Sequence, residues 1–74
     1  MNVLKKYIDQ NNVTKYQISK LSGISQMTLS HATADTKQLP NQTVKVISAV
    51  AQALGKTPGQ VLDDLIALDK VTQE

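Results

Sequence analysis

The sequence predicts a small all-α domain built from five helices. Apolar residues recur at helical spacing along most of the chain, and cap-forming residues stand in front of these segments. No segment alternates apolar and polar residues in the way a strand does. Of the 74 residues 41% are apolar, yet only two are aromatic, so we expect a core of Leu, Ile, Val and Ala.

The first predicted helix covers residues from about 2 to 11. Leu4, Tyr7 and Ile8 follow the spacing i, i+3, i+4 and form one apolar stripe. Asn11 and Asn12 then stop the helix.

The second helix has a well-specified start at Thr14, which is placed to cap it, while Gln17 is placed to return the bond in a capping box. Ile18 and Leu21 are expected to point into the core. Gly23 ends the helix, because glycine readily takes the left-handed conformation found at helix C-termini.

The third helix starts at Gln26, with Ser25 as its cap. The connection to the second helix is so short that the two must cross at a steep angle. Leu29 and Ala32 are expected to face inward. The side chains predicted to point outward are Gln26, Met27, Ser30 and His31.

The fourth helix is the most hydrophobic and is predicted to be central. A loop from Thr33 to Pro40 precedes it, Asn41 is expected to cap it, and Gly55 closes it. Its apolar stripe consists of Val44, Ile47, Ala51 and Leu54, with Val46 and Val50 beside it.

The fifth helix is predicted at about residues 58–69. Thr57 caps it, Pro58 occupies its first position, and Gln60 completes a capping box. Its apolar residues are Val61, Leu62, Leu65, Ile66 and Leu68. This stripe either closes the core or, being wide for a terminal helix, forms a dimer interface.

Charge is unevenly distributed. Residues 1–56 hold seven lysines and two aspartates, a net charge of +5, whereas residues 57–74 hold one lysine and four acidic residues, a net charge of −3. The basic part and the acidic part are therefore expected to have different neighbours.

Several classes of function are not expected. There is no cysteine and a single histidine, His31, without a nearby carboxylate cluster, so we expect no metal site and no cofactor. No Gly-Ser elbow, phosphate loop or pair of carboxylates indicates an enzyme. The start lacks a signal-peptide core and the longest apolar run is Ala49-Val50-Ala51, so we expect a soluble, cytoplasmic protein without a membrane partner.

From Thr14 to about Leu65 the chain resembles the phage-repressor (Cro/repressor-like, XRE family) helix-turn-helix domains. The resemblance is carried by Ile18, Ser19, Gly23, Ile24, Leu29 and the run Ala51-Gln52-Ala53-Leu54-Gly55. It implies a single five-helix, lambda-repressor-like DNA-binding domain over residues 1–74, with the helix-turn-helix at about 14–32 in helices two and three. The chain departs from the family pattern at Ser19, at Ala32, in the loop that follows, and in having no arginine.

The resemblance implies that this is a sequence-specific regulator of bacterial or phage type, expected to be a repressor, which reads double-stranded DNA with its third helix. The base-reading residues would be Gln26, Met27, Ser30 and His31. The phosphate-contacting residues would be Thr14, Lys15, Gln17, Ser25, Thr28, Lys37, Asn41, Gln42 and Lys45. Binding as a homodimer to a near-palindromic operator is expected, with the fifth-helix stripe as its interface.

The alternative is a protein-interaction module, or the antitoxin-type partner of a toxin, that keeps the fold with weak or no DNA binding. The absence of arginine and the net charge of only +2 motivate it. Whether the chain is a stand-alone regulator, one half of a toxin–antitoxin pair or the N-terminal part of a longer protein stays open.

Overall fold

The fold is a bundle of short helices, shown by a computed structural model that describes residues 2–35 and 37–73, with side chains up to residue 71. This part of the chain contains five α-helices and no strand, as predicted. They are α1 (Val3–Gln10), α2 (Lys15–Ser22), α3 (Gln26–Ala32), α4 (Val44–Leu54) and α5 (Pro58–Gln73). A 3₁₀ turn, Leu39–Asn41, precedes α4. Glu74, counted above among the acidic residues, lies outside the described residues.

The helix starts follow local capping, as the sequence predicts for α2, α3 and α5. Thr14 accepts a hydrogen bond from the backbone of Gln17, whose side chain accepts one from the backbone of Thr14, and this completes a capping box. Ser25 caps α3 in the same way through the backbone of Thr28. Gly23 ends α2 with φ of +79°, which confirms its predicted left-handed conformation.

The predicted start of α4 is wrong by two residues. Asn41 does not cap the helix, because it belongs to the 3₁₀ turn, in which its backbone N–H donates to Gln38. The cap is Thr43, which has the extended backbone that this position needs, and its hydroxyl accepts a 3.3 Å hydrogen bond from the backbone of Val46.

Apart from Tyr7 the core is aliphatic, and it centres on α4. The largest fully buried side chains are Leu4, Ile18, Leu29, Val50, Val61 and Leu65. All five helices contribute to this set, which confirms that Leu, Ile and Val form the interior. Burial of apolar surface is therefore the main contribution that stabilises the packing of five short helices.

Four side chains that belong to the predicted apolar stripes are exposed in the structure. Leu21 is 56% exposed because it lies in the last turn of α2, and Ile18 is the one residue of this helix that is buried. Val44 is 74% exposed because it stands at the first position of α4, before the buried residues begin at Val46. Leu62 and Ile66 are each 39% exposed, since among the described side chains of α5 only Val61 and Leu65 are fully buried.

Candidate functional site

The turn between α2 and α3 determines which side of α3 faces outward. The backbone N–H of Gly23 donates to Ser19 at 2.8 Å, and Ile24 is buried next to it. Leu29 and Ala32 then pack into the core. The opposite side of α3 carries the four predicted base-reading residues, all exposed: Gln26, Met27, Ser30 and His31.

One groove brings the start of α2 together with the outer side of α3. This α2–α3 groove has a volume of about 420 Å³. Thr14 and Lys15 from the start of α2 line it together with Gln26 and Ser30 of α3. Residues that the resemblance assigns to phosphate contact and residues that it assigns to base reading are therefore neighbours on one surface.

Tyr16 also lines the α2–α3 groove, and the sequence-based prediction missed it. It is exposed although it is one of only two aromatic residues in a chain whose core needs apolar side chains. Residues two apart on a helix point to opposite sides, so Tyr16 points away from the side on which Ile18 is buried. This helical spacing is the signal that could have identified Tyr16.

Several predicted phosphate contacts already serve as caps. Thr14 and Gln17 bond each other's backbone N–H groups, and among the described residues the amide nitrogen of Gln17 has no partner. The hydroxyls of Ser25 and Thr28 lie 2.8 Å apart. These side chains are thus held in fixed positions at the starts of α2 and α3 while remaining exposed.

The predicted contacts that follow α3 lie elsewhere. Lys37, Asn41, Gln42 and Lys45 are not among the described residues that line the α2–α3 groove. Lys45 lines a separate cleft of about 240 Å³ with Ser22 and Gly23. The amide nitrogen of Gln42 is engaged inside the protein, where it donates a 2.7 Å hydrogen bond to the carbonyl of Ala32.

Ion pairing reduces the number of free positive charges. Lys5 pairs with Asp9 at 3.6 Å, and Lys56 pairs with Asp64 at 3.0 Å. The hydrogen bond to Asp64, followed by the one to the Tyr7 hydroxyl, raises the pKa of Lys56. Within the described part of the chain the lysines without an ion-pair partner include Lys15, Lys20, Lys37 and Lys45. Lys56 therefore contributes less to the basic field than its charge alone suggests.

The predicted dimer interface divides into a buried and an exposed part. Val61 and Leu65 are fully buried in the core, and Leu68 is half-buried against it. Leu62 and Ile66 stand four residues apart on the outer side of α5. Of the five predicted interface residues, only Leu62, Ile66 and the exposed part of Leu68 can therefore contact another molecule.

Neither a metal centre nor a membrane span is found in the residues that the structure describes. Over this range no group of three metal-ligating side chains comes together. No helix there is long and apolar enough to cross a bilayer. His31 is exposed on the outer side of α3, and α3 contains no acidic residue.

Comparison with known proteins supports a role in DNA binding. The model of the family described as the Cro/C1-type HTH DNA-binding domain matches residues 3–65, which include α1 to α4 and the first half of α5. This family consists of DNA-binding domains and not of enzymes. Neither the curated proteins nor the solved structures gave a significant match to the chain.

Proposed function

The chain belongs to the family of Cro/C1-type helix-turn-helix DNA-binding domains, and from this premise we propose that it is a sequence-specific transcriptional repressor of bacterial or phage type. In this proposal α3 lies in the major groove of double-stranded DNA and reads the edges of the bases. The observation that carries the proposal is the α2–α3 groove, in which Thr14 and Lys15 stand beside Gln26 and Ser30.

The base-reading role falls to the outer side of α3. The amide of Gln26 suits a bidentate pair with N6 and N7 of adenine, which is worth about 1–3 kcal/mol of discrimination. Met27 is 73% exposed, and its flexible apolar side chain suits contact with a thymine methyl group. Ser30 and His31, which follow one turn later, are assigned to the neighbouring base pairs.

Phosphate contacts flank this surface on both sides. Thr14, Lys15 and Gln17 at the start of α2 hold one strand, supported by Ser25 and Thr28 at the start of α3. Lys37, Asn41 and Lys45 hold the backbone on the far side of α3. Because each neutralised phosphate releases condensed counterions, the affinity falls with salt at a slope of about −0.9 per contact.

The functional unit on DNA is a homodimer. A single copy neutralises few phosphates and would bind weakly, because among the assigned contacts only Lys15, Lys37 and Lys45 are charged. Two copies related by a two-fold axis bind a near-palindromic operator with half-sites one helical turn apart. Leu62 and Ile66 are the exposed apolar residues that we assign to the interface, because an exposed apolar pair on one side of α5 can be buried against its symmetry mate.

An NMR titration tests the proposal. The labelled domain is titrated with a mixed-sequence duplex at low salt and again at higher salt. We expect salt-sensitive amide shifts at residues 14–17, 25–31 and 37–45. If the shifts are absent at low salt, or confined to residues 57–71, the repressor proposal is wrong, and the exposed apolar residues Met27 and Leu21 direct the search to a protein partner.

A further inference from the structure

The last carbonyl group of α3 is held by two side chains from distant parts of the chain. The amide nitrogen of Asn2 donates to the Ala32 oxygen at 2.8 Å, across 30 positions of sequence. The amide nitrogen of Gln42, ten positions further along, donates to the same oxygen at 2.7 Å. Because a carbonyl oxygen has two lone pairs, these two donors satisfy it fully.

Asn2 serves two helices at once. It is only 2% exposed, and its side-chain oxygen caps α1 by accepting a 3.0 Å hydrogen bond from the backbone of Lys5. Its amide nitrogen donates to Ala34 at 2.7 Å as well as to Ala32. An amide has two N–H groups, so these two short bonds use both of them, and the 3.4 Å approach to Lys37 is secondary.

Apolar packing alone holds α3 weakly. The helix has seven residues and buries only Leu29 and Ala32, of which Ala32 contributes a single methyl group. A helix of this length has no stability of its own, and its terminal carbonyls have no partner within the helix. One large anchor, Leu29, leaves rotation about the helix axis poorly restrained, whereas bonds to Ala32 from two directions restrain it.

We propose that Asn2 and Gln42 are positioning residues for DNA reading: by holding the Ala32 carbonyl they set the orientation at which α3 presents Gln26 and Ser30 to the bases. This inference rests on the proposed function. Phosphate contacts from flexible lysines tolerate a small rotation of α3, but bidentate base contacts do not. Loss of the two bonds therefore lowers the preference for the correct sequence more than it lowers the affinity for DNA in general.

Two variants remove these bonds in different ways. Asn2→Ser keeps a good helix cap for α1 and deletes the amide donor to α3. Gln42→Met deletes the other donor and also a buried side-chain oxygen for which the described residues offer no partner, so its cost in stability is small. Asn11→Ser is the matched control, because the amide of Asn11 donates to the Tyr7 carbonyl at the other end of α1.

The experiment first selects preferred duplexes from a random pool with the wild-type protein. The dissociation constants of a selected and a scrambled duplex are then measured at one salt concentration, well below each variant's melting temperature. We expect the ratio of the two constants to fall about tenfold in Asn2→Ser and in Gln42→Met, the loss of roughly one base contact. Binding to the scrambled duplex should change less than about twofold, and Asn11→Ser should keep the wild-type ratio.

An unchanged ratio in both variants overturns the inference. So does an equal weakening on both duplexes, since that is the signature of a lost phosphate contact at Gln42. If Asn2→Ser does not fold, Gln42→Met decides alone. Failure of the proposed function looks different, because then the wild-type protein itself selects no sequence from the pool, and the role of both residues in reading falls with it.

Discussion

The hydroxyl of Tyr7 donates a 2.7 Å hydrogen bond to the carboxylate of Asp64 and so joins α1 to α5. Lys56 donates to the same carboxylate oxygen at 3.0 Å and lies 5.8 Å from the centre of the Tyr7 ring. Burial, followed by the hydrogen bond to Asp64, raises the pKa of Tyr7. Hydrogen bonds from Tyr7 and then from Lys56 lower the pKa of Asp64.

The first prediction concerns the pH dependence of this contact. Because the pKa of Tyr7 is raised by folding, the stability gained from its protonated hydroxyl is complete below the unfolded pKa of about 10 and is lost as the pH rises through the folded value. Tyr7→Phe should cost about 1 kcal/mol at neutral pH and less at about pH 11. Urea unfolding at both pH values measures this.

Tyr16→Phe is the control for that measurement, because the Tyr16 hydroxyl is exposed and has no partner among the described residues. It should leave the free energy of unfolding unchanged at both pH values. If Tyr7→Phe lowers the free energy of unfolding equally at both pH values, the hydrogen bond from the Tyr7 hydroxyl does not account for the loss.

The second prediction compares two leucines of the helix-turn-helix. Leu29 is fully buried, and Leu29→Ala should lower the free energy of unfolding by about 2–5 kcal/mol. Leu21→Ala should change it by less than about 0.5 kcal/mol, because most of that side chain is in water. Urea denaturation of the two variants is the test, and comparable losses would contradict the described burial.

The sequence predicts the helix starts well where the signal is local. The capping box of Thr14 and Gln17 needs only four consecutive residues, so its pattern is complete in the sequence. Near the start of α4 the sequence-based prediction places the cap at Asn41, whereas the structure places it at Thr43. The 3₁₀ turn that contains Pro40 decides between them, and its position depends on the packing of Leu39 against the core.

Burial at the ends of helices and long-range hydrogen bonds could not be predicted. Leu21 follows the helical spacing of Ile18, but whether a last turn is covered depends on neighbouring helices. The sequence analysis assigns no role to Asn2, because nothing local indicates that its amide crosses to Ala32. Thr14, Lys15, Gln26 and Ser30 were named from the sequence, but the groove that they line, and the contribution of Tyr16 to it, depend on how α2 and α3 meet.

The third prediction concerns the dimer. Ile66→Glu should weaken self-association on DNA while leaving the fold intact, because the side chain is partly exposed and a buried carboxylate in an interface is costly. Val71→Glu is the control, since Val71 is exposed on another side of α5. Sedimentation of the protein–DNA complex reports the stoichiometry. If the complex of two protein copies with one duplex is equally stable in both variants, the outer side of α5 is not the dimer interface.

The fourth prediction concerns the phosphate contacts. Lys15→Gln should weaken binding to selected and scrambled duplexes alike and reduce the magnitude of the salt slope by about 0.9 per subunit. Lys70→Gln changes the net charge equally, but Lys70 lies on α5 and outside the groove, so its slope should stay close to that of the wild type. Equal slopes for the two variants would show that Lys15 makes no phosphate contact.

The most direct test of major-groove reading by α3 is a double-mutant cycle between Gln26 and single adenines of the selected duplex. One adenine at a time is replaced by 7-deazaadenine, which lacks the major-groove N7 acceptor, and binding is measured for the wild type and for Gln26→Ala. We predict that at one adenine the replacement costs the wild type about 1–3 kcal/mol and costs Gln26→Ala almost nothing. A cost that is equal in both proteins at every adenine would contradict base reading by Gln26.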